Sequence, residues 1–286
     1  MNELLHRWQH ALVLISLLLL QPATLTAATT STPQRIISLA PHITELLYTI
    51  DAGDRLVATV EFSDYPQQAL KLPRIGNVYQ LDWERLLGLQ PDLVIAWQDG
   101  TPANVIARLR ALNIPLQLVR AHSLEAIAAQ INHLGRMTGN ATRAVSVAND
   151  YLQQLRALQQ RYTGQSSVSV FFEIDHAPLY TINDRQIISD AIRICGGRNI
   201  FADLPALAAQ ISTEAVLQRR PELIIYAGSS MSPDQAFADW RRWQTLPAVK
   251  KGQLVAINPD LISRATPRML QGVTQLCEAI QAARQE

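Results

Sequence analysis

The chain has 286 residues, with 25 Lys+Arg against 24 Asp+Glu, 48% hydrophobic and 17% charged residues. A formal net charge of +1 with no basic run excludes a nucleic-acid binder, which needs clustered Lys and Arg to displace counterions from phosphates. The apolar content excludes a disordered chain and supports one large domain or two of roughly 120 residues each.

Residues 1–28 have the order of a secretory signal peptide. Arg7 precedes the apolar run 11–20 (ALVLISLLLL), and the small residues Thr26, Ala27 and Ala28 follow. The run is too short to span a bilayer, which takes about 20 apolar residues, so cleavage after Ala28 and a soluble exported chain are expected. In an oxidising compartment, Cys195 and Cys277 favour a disulfide over a metal or catalytic pair. Such a bridge closes a loop of about 80 residues and stabilises by about 4 kcal/mol in the chain-entropy picture.

From Arg35 onward, short β-branched runs alternate with helical periodicity. RIISLA (35–40) reads as a strand and 41–53 as a helix opened by Pro41 and stopped by Gly53. PDLVIAW (91–97) is a continuous apolar run suited to a buried parallel strand. A helical stretch at 103–112, a strand at 116–120 and a helix starting near Ser123 follow. From 140 to 163 there is no Gly or Pro, and Ala144, Val147, Ala148, Tyr151 and Leu155 form one apolar stripe. That spacing predicts an uninterrupted helix of roughly 23 residues, about 35 Å long. The second half repeats the alternation, with strands at 167–174, 221–227 and 253–257 and a helix over 186–195 ended by Gly196 and Gly197.

An internal repeat organises these elements. LDWERLLGLQPDLVIAW (81–97) aligns without gaps on ISTEAVLQRRPELIIYA (211–227), at a constant offset of 130 residues. The repeat predicts an α/β protein of two equivalent Rossmann-like lobes with parallel sheets, 29–138 and 165–286, joined by the long helix of 139–164. A helical connection, unlike a Gly- or Ser-rich one, limits lobe motion and leaves a largely pre-formed cleft between them.

Catalytic constellations are missing. There is no GxSxG elbow, no P-loop and no GxGxxG after a strand. His42, His122, His133 and His176 include no i, i+4 pair, and His133 reads as a helix-surface residue, so no metal site is expected. An exported hydrolase or chelatase using His42 or His176 with Asp175 is the enzyme alternative, without a paired base and nucleophile at recognisable spacing. Asn140-Ala-Thr142 matches a glycosylation acceptor but falls where a helix N-cap is expected. Phe62, Tyr65, Tyr79, Trp97 and Tyr180 lie near predicted strand ends, where doubly wound sheets bind ligands, and suit a large flat ligand. Trp240 and Trp243 read as helix packing.

RIISLAPHITELL, SDYP (63–66), PDLVIAW, CGGRNIF (195–201), PELIIYA and RATPRM (264–269) together carry a resemblance over roughly 34–284. The chain resembles the periplasmic vitamin B12-binding proteins of ABC importers, within the long-helix class of solute-binding proteins that carry corrinoids, haem and ferric siderophores. The resemblance implies a monomeric periplasmic binding protein, not an enzyme, with no cofactor beyond the cobalamin it transports. It places ligand contacts at Phe62, Trp97, Tyr180, Asp260 and Arg264, to which the reading of aromatics at strand ends adds Tyr79, and a disulfide at Cys195 and Cys277. It also makes Glu84 and Glu214, equivalent in the repeat, the carboxylates that dock on arginines of the membrane permease. The family pattern has tryptophans near 78 and 208, whereas Val78 and Ala208 stand here, which keeps cobinamide or another chelate open as the ligand. Haem or a ferric siderophore is the alternative cargo, although an anionic siderophore calls for more cleft arginines than Arg264.

Overall fold

The computed structural model describes residues 32–285, and the leader expected at 1–28 lies outside the described residues. The first half runs β1 (Ile36–Ser38), α1 (Pro41–Thr49), β2 (Leu56–Thr59), a hairpin of β3 (Gly76–Asn77) and β4 (Gln80–Leu81), α2 (Trp83–Gly88), β5 (Leu93–Trp97), α3 (Ala103–Ala111), β6 (Leu116–Val119) and α4 (Leu124–Met137). β2, β1, β5 and β6 form, in that order, an all-parallel sheet, with Ile36 level with Leu56 on one side and Leu93 on the other. Both faces are covered, so Leu93 to Ala96 are all buried without polar alternation. Pro41 opens α1, where its missing N–H costs no helix hydrogen bond.

The long helix α5 (Ala141–Tyr162) folds back antiparallel on α4. Their approach is close because residue 135 is glycine: a Cβ there would lie 2.1 Å from the Ala144 Cβ. The Tyr151 hydroxyl donates to the Leu124 carbonyl at 2.9 Å, fixing the register of the pair. The expected stripe is buried and belongs to one apolar core shared by both halves, which includes Ile43, Ile131, Tyr151, Val168, Ile192 and Val273. Two expectations fail here. Asn140 makes no cap bond; its Nδ2 donates instead to the Asp51 carbonyl at 2.9 Å, because the turn at Gly139 brings it against the end of α1. His133 is half-buried rather than fully on the helix surface, and its Nε2 is buried and unpartnered among the described residues.

The second half runs β7 (Val168–His176), β8 (Leu179–Ile182), α6 (Ile187–Ile194), β9 (Gly197–Asn199), β10 (Ala208–Gln210), α7 (Thr213–Arg219), β11 (Leu223–Tyr226), α8 (Pro233–Trp240), α9 (Pro247–Lys250), β12 (Leu254–Ala256), α10 (Pro259–Ile262) and α11 (Met269–Gln285). Its sheet is mixed rather than wholly parallel. β9, β7, β11 and β12 pair in parallel, but β8 folds back on the long β7 as a hairpin and β10 pairs antiparallel to β8. The short connection between β7 and β8 permits only the antiparallel return, since a parallel partner needs a crossover. The repeat is structural: Asp82 Oδ1 caps α2 by accepting from Arg85 N at 2.9 Å, and Ser212 Oγ caps α7 by accepting from Ala215 N at 3.3 Å. The strands after them open at Leu93 and Leu223, still in step. Cys195, just after α6, and Cys277, in α11, form a buried disulfide spanning 82 positions.

Candidate ligand-binding site

Parallel strands all present their carboxyl ends on one side, and loops gather there. Between the halves, these ends and the start of α6 enclose an open space of about 440 Å³. His42, Trp97 and His122 line it from the first half, and Gln186, Leu207 and Ala265 from the second. Trp97 is 37% exposed and meets His42 edge to face, with ring centroids 5.5 Å apart and planes at 87°. Burial, and then the charge of Arg264, push the His42 pKa down to about 4, so its imidazole is neutral at ordinary pH. His122 Nε2 pairs with Asp99 at 2.8 Å on the same rim.

A second open region of about 890 Å³ adjoins at Pro41, beside Phe62 and Tyr79. These rings are 75% and 77% exposed, large apolar surfaces that stability alone does not call for. The backbone holds both outward. Phe62 sits at φ 64°, and its carbonyl accepts from Arg264 Nη2 at 3.2 Å. Asn77 Oδ1 accepts from the N–H groups of Tyr79 and Gln80, closing the turn that presents Tyr79. Beneath the 63–66 loop, buried hydroxyls of Ser38, Thr44, Thr59 and Ser63 form a chain with links of 3.0, 2.7 and 2.8 Å.

Two arginines cross between the halves. Arg264 pairs with Asp64 at 2.6 Å and with Asp260 at 2.7 Å, and is itself 8% exposed. Its neighbours Ser263 and Ala265 line the open space, while its guanidinium is already engaged. Arg264 therefore ties the loop carrying Phe62 to the second half, and Asp260 remains exposed at the rim. Burial disfavours the Asp64 carboxylate, but hydrogen bonding and charge from Arg264 outweigh it and hold its pKa below the usual range. Arg268 binds both oxygens of Glu45, through Nε at 2.8 Å and Nη2 at 3.1 Å, while Thr266 Oγ1 donates to Glu45 at 2.6 Å. Arg268 also lies 3.5 Å over the Tyr65 ring. The sequence reading did not find Asp64, Glu45 or Arg268 as partners; the one available signal was a carboxylate among the apolar positions of α1.

Tyr180 stands apart from this space, half-buried on β8 opposite Asp175 and Gln210. Trp240 is core, with Nε1 donating to buried Glu173 at 2.6 Å. Trp243, read as packing, is 40% exposed and lines a groove with Glu214, His176 and Arg242, because α8 ends before it. His176 Nδ1 meets Glu173 at 2.5 Å and Nε2 meets Asp239 at 3.1 Å, so neither nitrogen is free to act as a base. Glu84 and Glu214 are exposed at equivalent helix starts, one in each half. Hydrogen bonds from its own N–H and from Ser212 hold the Glu214 carboxyl below its ordinary range. Among the described residues, no group of three His, Cys, Asp or Glu is placed to hold a metal ion.

Residues 36–261 match the family model described as periplasmic binding protein. The chain belongs to that family. It is 34% identical over 253 residues to a vitamin B12-binding protein of Vibrio parahaemolyticus, covering 88% of this chain and 91% of the relative. The crystal structure of the periplasmic vitamin B12 binding protein BtuF of Vibrio cholerae superposes with a TM-score of 0.82 at 37% identity, covering 89% of this chain and 99% of the other. A periplasmic haem-binding protein from Pseudomonas aeruginosa is 25% identical with a TM-score of 0.74, covering 88% of this chain and 94% of its own. These relatives are named for what they bind, and this periplasmic binding protein is likewise a binder rather than an enzyme.

Proposed function

We propose that this protein captures cobalamin in the cleft between its lobes and delivers it to the permease of an ABC importer. The observation that carries the reading is a cleft floored by Trp97 and flanked by exposed Phe62 and Tyr79, in a chain 37% identical to a vitamin B12 binder of the same fold. Flat rings beside few charges suit a large, nearly neutral macrocycle. Asp260 offers a carboxylate to corrin amides, and Tyr180 is the further contact that the resemblance assigns to the second lobe. Cyanocobalamin titrated into the purified protein should bind at one per chain, and Trp97→Ala should weaken binding about tenfold, a loss of about 1.4 kcal/mol. No binding at tens of micromolar would sink the reading.

Export by a leader cleaved after Ala28 belongs to the same proposal, and the N-terminus of the secreted protein tests it. Glu84 and Glu214 are the docking carboxylates, exposed and symmetric on the two lobes. The double variant Glu84→Ala/Glu214→Ala should keep its cyanocobalamin affinity and lose most of its permease association in a reconstituted pull-down. Equal capture of the double variant would refute that role. The haem reading rests on the Pseudomonas aeruginosa neighbour. The visible spectrum of protein from its native host separates it from the corrinoid one.

A further inference from the structure

The repeat sets Glu84 and Glu214 at equivalent helix starts, but the surfaces around them differ. Thr213 stands where the first half has Trp83, at the same offset of 130 residues. Trp83 is half-buried, with the Arg108 guanidinium 4.2 Å over its ring, and the open space beside Glu84 is lined by Asp82, Arg85 and Gly88, without an aromatic. Beside Glu214, with the smaller Thr213, lies a groove of about 690 Å³ lined by Asp239, Trp240 and Trp243. Stability gives no reason for the last of these rings. Trp240, one turn earlier, is core and meets Phe171 edge to face at 5.5 Å. Trp243 is 40% exposed, and its indole N–H has no acceptor among the described residues. Its backbone is nonetheless fixed: its N–H donates to the Trp240 carbonyl at 2.9 Å, and its carbonyl accepts from Leu246 N at 2.9 Å. A large ring held in place at the edge of a groove is the kind of anchor on which protein interfaces depend.

The charges narrow the occupant. Asp239 is shared between His176 and Arg242, at 3.1 and 3.3 Å, whereas Glu214 is held by Ser212 and its own N–H and by no cation among the described residues. One unpaired carboxylate and one exposed indole line the same groove. An arginine answers both, because its guanidinium pairs with a carboxylate and stacks on an aromatic face. We propose that this groove is a permease anchor found on the second lobe alone, in which a segment of the permease sets an arginine between Glu214 and the Trp243 ring. The proposal rests on the docking role given above to Glu214, since the chain that meets Glu214 is the one that enters the groove. It adds that the two lobes do not dock alike.

The test titrates the purified permease of the same host's cobalamin importer with the wild-type protein and its variants. Trp243→Ala should associate about tenfold more weakly and Trp243→Phe should retain most of the association, as for an aromatic hot spot. Thr213→Trp, which restores the bulk of the first lobe and fills the groove, should lose as much as Trp243→Ala. All three should keep the cyanocobalamin affinity and the melting temperature of the wild type. Photoreactive benzoylphenylalanine in place of Trp243 should form an adduct with the permease. Unchanged association of Trp243→Ala and Thr213→Trp, with capture lost in Glu84→Ala/Glu214→Ala, overturns the groove and leaves the docking glutamates standing. An adduct formed only between two copies of this chain overturns the groove as well. Equal capture of the double glutamate variant, or no capture of the wild type, overturns both.

Discussion

Burying a neutral histidine couples folding to acid. The unfolded imidazole has a pKa near 6.5 and the folded His42 about 4, so between these values only the unfolded chain takes up the proton. The native state therefore loses stability as pH falls through that window, by roughly 3 kcal/mol once the window is crossed. His176 works with the opposite sign. Burial opposes its charged form, but bonds to Glu173 and Asp239 raise its pKa, and the stability they add is present at low pH and lost as pH rises through the folded value. Comparing the wild type with His42→Gln isolates the first effect. Urea midpoints at pH 4.5 and 7.5 should differ less in the variant, and an equal pH dependence in both proteins would show that His42 is not the acid-sensitive group.

The elements are held in place by features that a propensity scale misjudges. Gly135 lies inside α4, where alanine is intrinsically better by about 1 kcal/mol. The added methyl would nevertheless sit 2.1 Å from the Ala144 Cβ, inside a packed helix pair. Gly135→Ala should therefore destabilise by about 1–3 kcal/mol, as overpacking does, rather than stabilise. Thermal melting decides the sign. The capped helices α2 and α7 show the reverse case: a local signal, an oxygen side chain before a short helix, suffices to start each one and so sets where Glu84 and Glu214 stand.

At the scale of the whole molecule, the halves are joined at several places, among them the Leu124 N–H donating to Asp190 at 2.8 Å. α5 buries its stripe in a core common to both, and two arginine networks, Arg264 with Asp64 and Arg268 with Glu45, close the interface beside the cleft. Glu45 is 1% exposed and fully engaged, so Glu45→Ala strands the Arg268 charge and should cost about 3 kcal/mol. Arg268→Ala should cost a similar amount by stranding Glu45, and the double variant should cost clearly less than the two together. Additive losses in denaturant unfolding would mean that the two side chains act separately. With these ties intact, ligand entry should change the radius of gyration in small-angle scattering only slightly.

Much of the architecture was legible from local pattern. PDLVIAW and PELIIYA read as buried strands because both of their faces are covered, and the 130-residue repeat foretold equivalent helices and strands in the two halves. The long helix was visible in its stripe. The disulfide was expected from two cysteines in an exported chain and lies between Cys195 and Cys277. The antiparallel turn of β8 was not legible, since pairing direction depends on which distant strand offers a free edge. Nor was the commitment of Arg264 to Asp64, because 200 residues separate them and no spacing rule links such partners.

His42 draws the line between the two kinds of knowledge. By itself the sequence determined two α/β lobes with aromatic residues at their strand ends, because periodicity and capping act within a few residues. Only the tertiary structure decided that one histidine is buried and neutral beside the cleft, because desolvation and the field of Arg264 come from parts of the chain that meet only when it folds.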